Sequence, residues 1–87
     1  MAAAVIEQKI QQFLIESTGD RSLKSDTDLL SSNILDSLTM MDLVAFIETE
    51  FQQRIALEDF RPELFKTVLQ IAELVERIQT QRHHRAA

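Results

Sequence analysis

Near the middle of the chain the sequence reads Asn33-Ile34-Leu35-Asp36-Ser37-Leu38-Thr39-Met40-Met41-Asp42-Leu43. Before Asp36 there is no helical period, but after it apolar residues recur at steps of three and four, as on one helix face: Leu38, Met41, Val44, Ala45, Ile47, Phe51 and Ile55. Asp36 is a suitable N-cap because its carboxylate can accept hydrogen bonds from the free amides of a first turn. The segment therefore predicts a helix from Ser37 to about Gln52.

Ser37 would occupy the opening position of this helix, where its hydroxyl should face solvent. The positive end of the helix dipole makes that position favourable for a phosphate group. The simpler alternative is that Ser37 only helps to cap the helix, and the segment alone does not decide between the two.

The composition indicates one helical domain. The chain has 87 residues, with one Gly, one Pro, no Trp, no Tyr and few β-branched runs, which favours helices over strands. The absence of Cys excludes disulfides, thiolate metal sites and a cysteine nucleophile. We expect a single domain over residues 1–80 and a frayed C-terminal tail over residues 81–87, which has no apolar period.

Two long segments precede the central helix. Apolar residues predict a first amphipathic helix from about Ala3 to Glu16, ended near Gly19, the only glycine. A connection from about Asp20 to Leu35 follows, and a loop of this length needs packing to hold it. Its aliphatic residues supply that packing: Leu23, Leu29, Leu30, Ile34 and Leu35.

Two further helices are predicted after the central one. A short helix should cover about Glu58–Leu64, with Pro62 tolerated near its first turn. Thr67 and Gln70 fit a capping box that opens a last helix ending near Thr80. The prediction is an all-α four-helix bundle, with three longer helices, one short one and a long structured loop between helices 1 and 2.

The acidic central part of the chain indicates which classes of molecule could bind to it. The formal net charge is −5, and the segment from Asp26 to Glu63 holds nine carboxylates against Arg54 and Arg61. Such a surface repels nucleic acid and anionic lipid, and it favours proteins with basic docking patches. Glu7 and Lys9 interrupt the apolar N-terminus, so neither a signal peptide nor a membrane-spanning helix is predicted, and we expect a cytoplasmic protein.

Catalytic and metal chemistry have little support in the sequence. No His lies in the predicted folded part, and no nucleophile and base are paired. His83 and His84 are adjacent, so they would point to different faces of a helix, and we expect no metal site there. A helix-turn-helix reader of DNA is disfavoured because the central helix is acidic.

Several motifs in order carry a family resemblance. The first is the triplet Asp36-Ser37-Leu38, which follows the Asp28-Leu29 pair. The last is Phe65-Lys66-Thr67-Val68 at the entry to the last helix. Between them lie these matching residues of the central helix: Leu43, Val44, Ile47, Glu48, Glu50 and Phe51. On these residues the chain resembles the acyl and peptidyl carrier protein family, from about Ile6 to Ile78.

The resemblance implies a non-catalytic carrier. In that family the serine of the triplet holds a 4′-phosphopantetheine arm derived from coenzyme A, so Ser37 would be the attachment site and Asp36 would orient the loop. The implied partners are a phosphopantetheinyl transferase, an adenylating ligase or acyltransferase that loads the arm, and downstream biosynthetic enzymes. We expect a monomer that binds neither nucleic acid nor membrane.

Partner enzymes should dock on the solvent-facing positions of the second helix nearest Ser37. If Val44, Ile47 and Phe51 are buried, these positions are Leu38, Thr39, Met41, Asp42 and Ala45. The sequence leaves open whether Leu38 and Met41 belong to this surface or to the core, and Asp42 would steer basic partners.

The resemblance also points to a kind of cargo. The opening Ile34-Leu35-Asp36-Ser37 and the later Asp59-Phe60-Arg61-Pro62 look more like free-standing D-alanyl and prolyl carriers than like the fatty-acid carrier. Thr39 is neutral where the fatty-acid carrier typically has a carboxylate. We therefore expect a thioester carrier in secondary-metabolite biosynthesis of the nonribosomal peptide or polyketide type. The alternatives are a fatty-acid-type carrier, or a helical interaction module in which Ser37 is only a cap.

Overall fold

Three α-helices form the framework of the protein. The computed structural model describes residues 3–32, 34–59 and 61–86, and for Ala3, Leu57 and residues 81–86 it describes the backbone alone. The helices are α1 (Ala3–Thr18), α2 (Ser37–Glu50) and α3 (Val68–Ala86), with 3₁₀ turns at Leu57–Asp59 and Pro62–Phe65. These ranges contain no strand, so the predicted all-α class is confirmed.

The ends of α1 and α2 depend on two residues with positive φ. Gly19 has φ +76°, and its N–H donates to the Ile15 carbonyl at 2.8 Å, so glycine closes α1 as expected. The sequence placed the end of α2 near Gln52, but α2 ends at Glu50. Gln52 has φ +52°, a left-handed conformation that cannot continue a right-handed helix.

The predicted short third helix over Glu58–Leu64 is replaced by the two 3₁₀ turns, so a four-helix bundle is not confirmed. Pro62 begins the second turn, and proline cannot donate the backbone hydrogen bond that a continuous helix would need there. Phe60, which belonged to this prediction, and Asn33 lie outside the described residues.

The last helix begins as predicted and continues further. The Gln70 N–H donates to the Thr67 hydroxyl at 3.1 Å, so Thr67 caps the start of α3. We predicted an end near Thr80, whereas α3 extends to Ala86. The frayed tail over residues 81–87 stays a prediction.

One apolar core joins the helices. α1 packs mainly against α3 and also against α2. Periodicity identified the inward face of α1 through Ile6, Ile10 and Leu14, while Val5 is exposed and Phe13 is half-buried. The core consists of these buried side chains: Ile6, Ile10, Leu14, Leu23, Leu29, Leu35, Leu43, Val44, Ile47, Phe51, Ile55, Phe65, Val68, Ile71, Ala72, Leu74 and Val75.

The connection between α1 and α2 is held against the start of α3. Leu29 is fully buried, and its N–H donates to the Lys66 carbonyl at 2.7 Å. The Leu69 N–H donates back to the Ser25 carbonyl at 3.1 Å. Leu23 and Leu35 are buried as well, so the aliphatic residues of this loop anchor it to the core.

Candidate functional site

The start of α2 is fixed by Asp36. This residue is extended, with φ −91° and ψ −176°, and its Oδ1 accepts the Thr39 N–H at 2.8 Å. Its carbonyl accepts the Met40 N–H at 2.8 Å, which closes the first turn. The N-cap predicted from the sequence is therefore present.

Asp36 places a negative charge beside Ser37. The hydrogen bond from the Thr39 backbone amide, followed by that from the Thr39 hydroxyl, lowers the pKa of the Asp36 carboxyl below its usual value. The carboxylate is consequently ionised at neutral pH.

Ser37 is presented to solvent. It is the first residue of α2, its side chain is exposed, and its hydroxyl makes no hydrogen bond within residues 3–32, 34–59 and 61–86. The position combines a free hydroxyl with a rigid helix start.

A chain of backbone hydrogen bonds positions this helix start relative to the rest of the fold. Leu35, immediately before Asp36, is buried, and its N–H donates to the Leu29 carbonyl at 3.1 Å. Leu29 is bonded in turn to Lys66, just ahead of α3. The start of α2 is therefore anchored through the loop to the segment that precedes α3.

The structure separates the residues of α2 that the sequence placed on one apolar face. Leu38 is 72% exposed and Met41 is 68% exposed, so both lie outside the core. Asp42 and Ala45 are exposed too, whereas Thr39, predicted to face solvent, is half-buried. Four of the five predicted docking positions therefore share an open surface beside Ser37.

The error in the periodic pattern has a simple cause. α2 has apolar side chains on several faces, so steps of three and four can be drawn through more than one of them. The face that the fold buries runs through Leu43, Val44 and Ile47, and Leu43 was absent from the periodic set.

Sequence reasoning missed an aromatic pair near the site. Phe13 of α1 stacks on Phe46 of α2 with ring centroids 4.4 Å apart and an angle of 19° between planes. Both rings are half-buried. The signal was available in part: Phe46 follows Leu38 by eight residues and Asp42 by four, which places it near the same side of α2.

Two other kinds of site lack support. Within the described residues, no group of three or more His, Asp or Glu side chains could hold a metal ion. No helix in the described part of the chain has the length and apolar character needed to cross a membrane.

Comparisons with known proteins agree with this geometry. The chain is 37% identical over 57 residues to PigG, a probable acyl carrier protein of Serratia sp. (strain ATCC 39006), and the match covers 66% of each sequence, leaving about a third of the relative unmatched. No family model matches the chain.

A solved structure has a similar fold. It is a chain of a crystal structure described as an FAD-dependent dehydrogenase, with a TM-score of 0.66 and 34% sequence identity. The superposition covers 80% of this chain and 97% of that one, so the likeness extends over nearly all of the solved chain. The sequence match to the probable acyl carrier protein shows that this chain belongs to the acyl carrier protein family, whose members are carriers and not enzymes.

Proposed function

We propose that the protein holds an acyl or aminoacyl group as a thioester on a 4′-phosphopantetheine arm attached to Ser37. The observation that carries this proposal is the exposed, unbonded Ser37 hydroxyl at the start of α2. In this proposal the two 3₁₀ turns before α3 take the place of the short helix in a four-helix carrier bundle.

The residues around Ser37 fit such an arm. α2 has 14 residues, and the positive end of its dipole lies at Ser37, where it favours the negative phosphodiester. The Asp36 carboxylate accepts a hydrogen bond from the Thr39 N–H, so it caps the helix whether or not the arm is attached. Because the site is open, the arm can extend away from the protein.

The attachment chemistry requires only one reacting atom from this chain. The Ser37 oxygen attacks the β-phosphate of coenzyme A and forms a new P–O bond, while adenosine 3′,5′-bisphosphate leaves. The transferase supplies the metal ion and the base that takes the hydroxyl proton. The attached group supplies a thiol, with a pKa of roughly 8.5 when unperturbed, on which cargo is held as a thioester.

The open surface of α2 suits docking by partner enzymes. Leu38 and Met41 present exposed apolar side chains near Ser37, and Asp42 adds a carboxylate one turn further along. We assign these three residues and Ala45 to contacts with a phosphopantetheinyl transferase, with a loading ligase or acyltransferase, and with downstream enzymes. Thr39 keeps a smaller part in this surface because it is half-buried.

The cellular role follows from the kind of carrier. We assign the protein to secondary-metabolite biosynthesis of the nonribosomal peptide or polyketide type, as a cytoplasmic monomer. Two features support this assignment. Thr39 is neutral where the fatty-acid carrier typically has a carboxylate, and the sequence resembles free-standing aminoacyl carriers. A fatty-acid-type carrier would share the arm and differ in its cargo.

Intact-protein mass spectrometry tests the attachment. The protein is incubated with coenzyme A, magnesium and a broad-specificity phosphopantetheinyl transferase, together with Ser37→Ala and the matched variant Ser31→Ala. Ser31 is also exposed and follows an aspartate turn, so it controls for nonspecific modification. We expect one phosphopantetheine mass in the wild type and in Ser31→Ala, and none in Ser37→Ala.

The opposite result would support the interaction-module alternative. If folded wild-type protein gains no mass with several transferases, Ser37 serves only as part of the helix start. The exposed Leu38 and Met41 would then mark a surface for binding another protein.

A further inference from the structure

A shallow depression lies between α1 and α2 on the side of the molecule that carries Asp42. Phe13 and Ser17 line it from α1, and Asp42, Ala45, Phe46 and Thr49 line it from α2. The depression is open to solvent, and its floor is the stacked pair Phe13–Phe46. The function proposed above does not use these two rings.

The aromatic floor is held rigidly by the core. The Phe46 ring meets Phe51 edge-on, with centroids 6.2 Å apart and planes at 86°, and Phe51 is buried. Each ring of the stack is therefore fixed by a neighbour, while its outer part stays accessible. Such ring faces carry partial negative charge and attract cations.

Asp42 is the one charged residue in this lining. Its carboxylate makes no hydrogen bond or ion pair with the residues that the structure describes. Two other acidic groups of these helices are engaged: Glu50 Oε2 lies 3.3 Å from Lys9 Nζ, and Glu16 accepts a hydrogen bond from Gln12. The depression thus combines ring faces with an unpaired negative charge, a combination that fits a small cation.

A stripe on α2 leads from Ser37 into the depression. Leu38, Asp42, Ala45 and Thr49 are spaced by four, three and four residues, so they lie along one side of the helix. Ala45 is eight residues beyond Ser37, about 12 Å along the axis. An extended chain gains roughly 3.5 Å for every three bonds, so the roughly fifteen bonds of the arm reach about 17 Å. The end of an arm on Ser37 can therefore reach the rings.

We propose that this depression receives the aminoacyl end of the loaded arm, with the cargo's ammonium group beside Asp42 and over the Phe13–Phe46 pair. The inference rests on the proposed attachment at Ser37 and adds a cargo class, a small aminoacyl group with a free cationic amine. A long alkyl chain does not fit, because its burial needs an enclosed apolar channel and this depression is open.

The contact between the ammonium group and the depression is weak because both of its parts are exposed to solvent. An exposed cation–ring contact and an exposed ion pair each change a population by only a few-fold. Docked and free cargo therefore exchange, and an enzyme that covers Asp42 and Ala45 displaces the docked form. The depression thus holds the cargo near α1 and α2 for part of the time without blocking its transfer.

Backbone amide NMR of loaded protein tests the proposal. A broad-specificity transferase attaches the arm from coenzyme A analogues that bear alanyl or propionyl through a stable amide, and mass spectrometry verifies each product. The two cargoes have nearly the same size and differ in the ammonium group. Relative to the propionyl form, we expect the alanyl form to shift the amides of residues 13–17 and 42–49 at least threefold more.

Matched variants identify the charge that is responsible. Asp42→Asn should remove more than half of the alanyl-specific shifts, whereas Asp26→Asn, at an exposed loop aspartate, should leave them unchanged. Phe13→Leu should reduce them as well, and raised salt should weaken them because the carboxylate is exposed.

Three results would overturn the proposal, and one would overturn its premise. Equal shifts for alanyl and propionyl, shifts confined to residues next to Ser37, or shifts in this depression only when a partner enzyme is added each contradict cargo docking. Failure of the arm to attach at all contradicts the carrier function instead, and the mass spectrum reports this before any NMR measurement.

Discussion

Two aspartates make the same kind of local turn with opposite outcomes. Asp28 accepts the Ser31 N–H at 3.0 Å, and Asp36 accepts the Thr39 N–H at 2.8 Å. Each carboxylate binds an amide three residues ahead, and these bonds lower the pKa of both groups. The local hydrogen bonding alone would not distinguish a structural turn from a functional one.

The difference lies in the residues that follow. Leu29, directly after Asp28, is fully buried and bonded to the Lys66 carbonyl, and Lys66 Nζ lies 4.0 Å from the Asp28 carboxylate. Ser37 and Leu38, after Asp36, are exposed. The first turn attaches the loop to α3, and the second presents a hydroxyl to solvent.

The largest difference between the two turns is expected when the leucine after each aspartate, Leu29 or Leu38, is replaced by alanine. Leu29→Ala should lower the free energy of unfolding by about 2–5 kcal/mol, because it leaves a cavity in a packed core. Leu38→Ala removes the same atoms from an exposed position, so it should change the free energy of unfolding by at most about 0.5 kcal/mol. Urea unfolding followed by circular dichroism measures both, and equal losses would contradict the contrast.

A second test removes the carboxylates. Asp28→Ala and Asp36→Ala should each lower the Tm by roughly 5 °C, since each leaves the backbone amides of its turn without their side-chain acceptor. Asp36→Asn and Asp28→Asn are the controls, because the amide oxygen of asparagine can accept the same backbone N–H bonds without the charge. Scanning calorimetry that finds the Asn and Ala variants equally destabilised would show that charge, not hydrogen bonding, is responsible.

The pH dependence of stability sharpens the comparison further. Hydrogen bonds in the folded state lower the pKa of Asp20, Asp28 and Asp36 below the usual aspartate value of about 3.9. The unfolded chain then binds protons first as acid is added, so their stabilisation is present above about pH 4 and lost as pH falls below it.

Urea unfolding between pH 3 and pH 6 measures this loss. The double variant Asp28→Asn/Asp36→Asn should show a shallower decline below pH 4 than the wild type. An identical slope would mean that other carboxylates cause the acid sensitivity.

Ser37→Ala is also expected to have only a small effect on stability. The Ser37 hydroxyl makes no hydrogen bond within the described ranges, so its loss should change the free energy of unfolding by less than about 1 kcal/mol. Helical content by circular dichroism should be unchanged. Ser31→Ala should be the more destabilised variant, because the Ser31 hydroxyl donates to Asp28 Oδ2 at 2.8 Å. Unfolding of Ser37→Ala would contradict a functional role for this hydroxyl and favour a structural one.

Much of the fold was predictable because local signals agree with the packing. In α1, apolar residues lie on one face, and Ile6, Ile10 and Leu14 are buried as their spacing predicts. Gly19, Asp36 and Thr67 mark three helix ends through their own backbone or side-chain chemistry. Signals of this kind involve only residues a few positions apart.

The features that the sequence did not predict depend on long-range packing or on an unusual backbone conformation. Gln52 adopts positive φ without being Gly, Asn or Asp, so no residue signal announced the end of α2 at Glu50. The Phe13–Phe46 stack joins residues 33 positions apart and depends on how α1 lies against α2.

The sequence by itself determined the all-α class, the cap at Asp36 and the placement of Ser37 at the first turn of a helix. Tertiary structure alone decided which side of α2 is buried. Apolar residues lie on several sides of this helix, so periodicity permits more than one buried face. The fold buries Leu43, Val44 and Ile47 in the common core, and Leu38 and Met41 are left exposed.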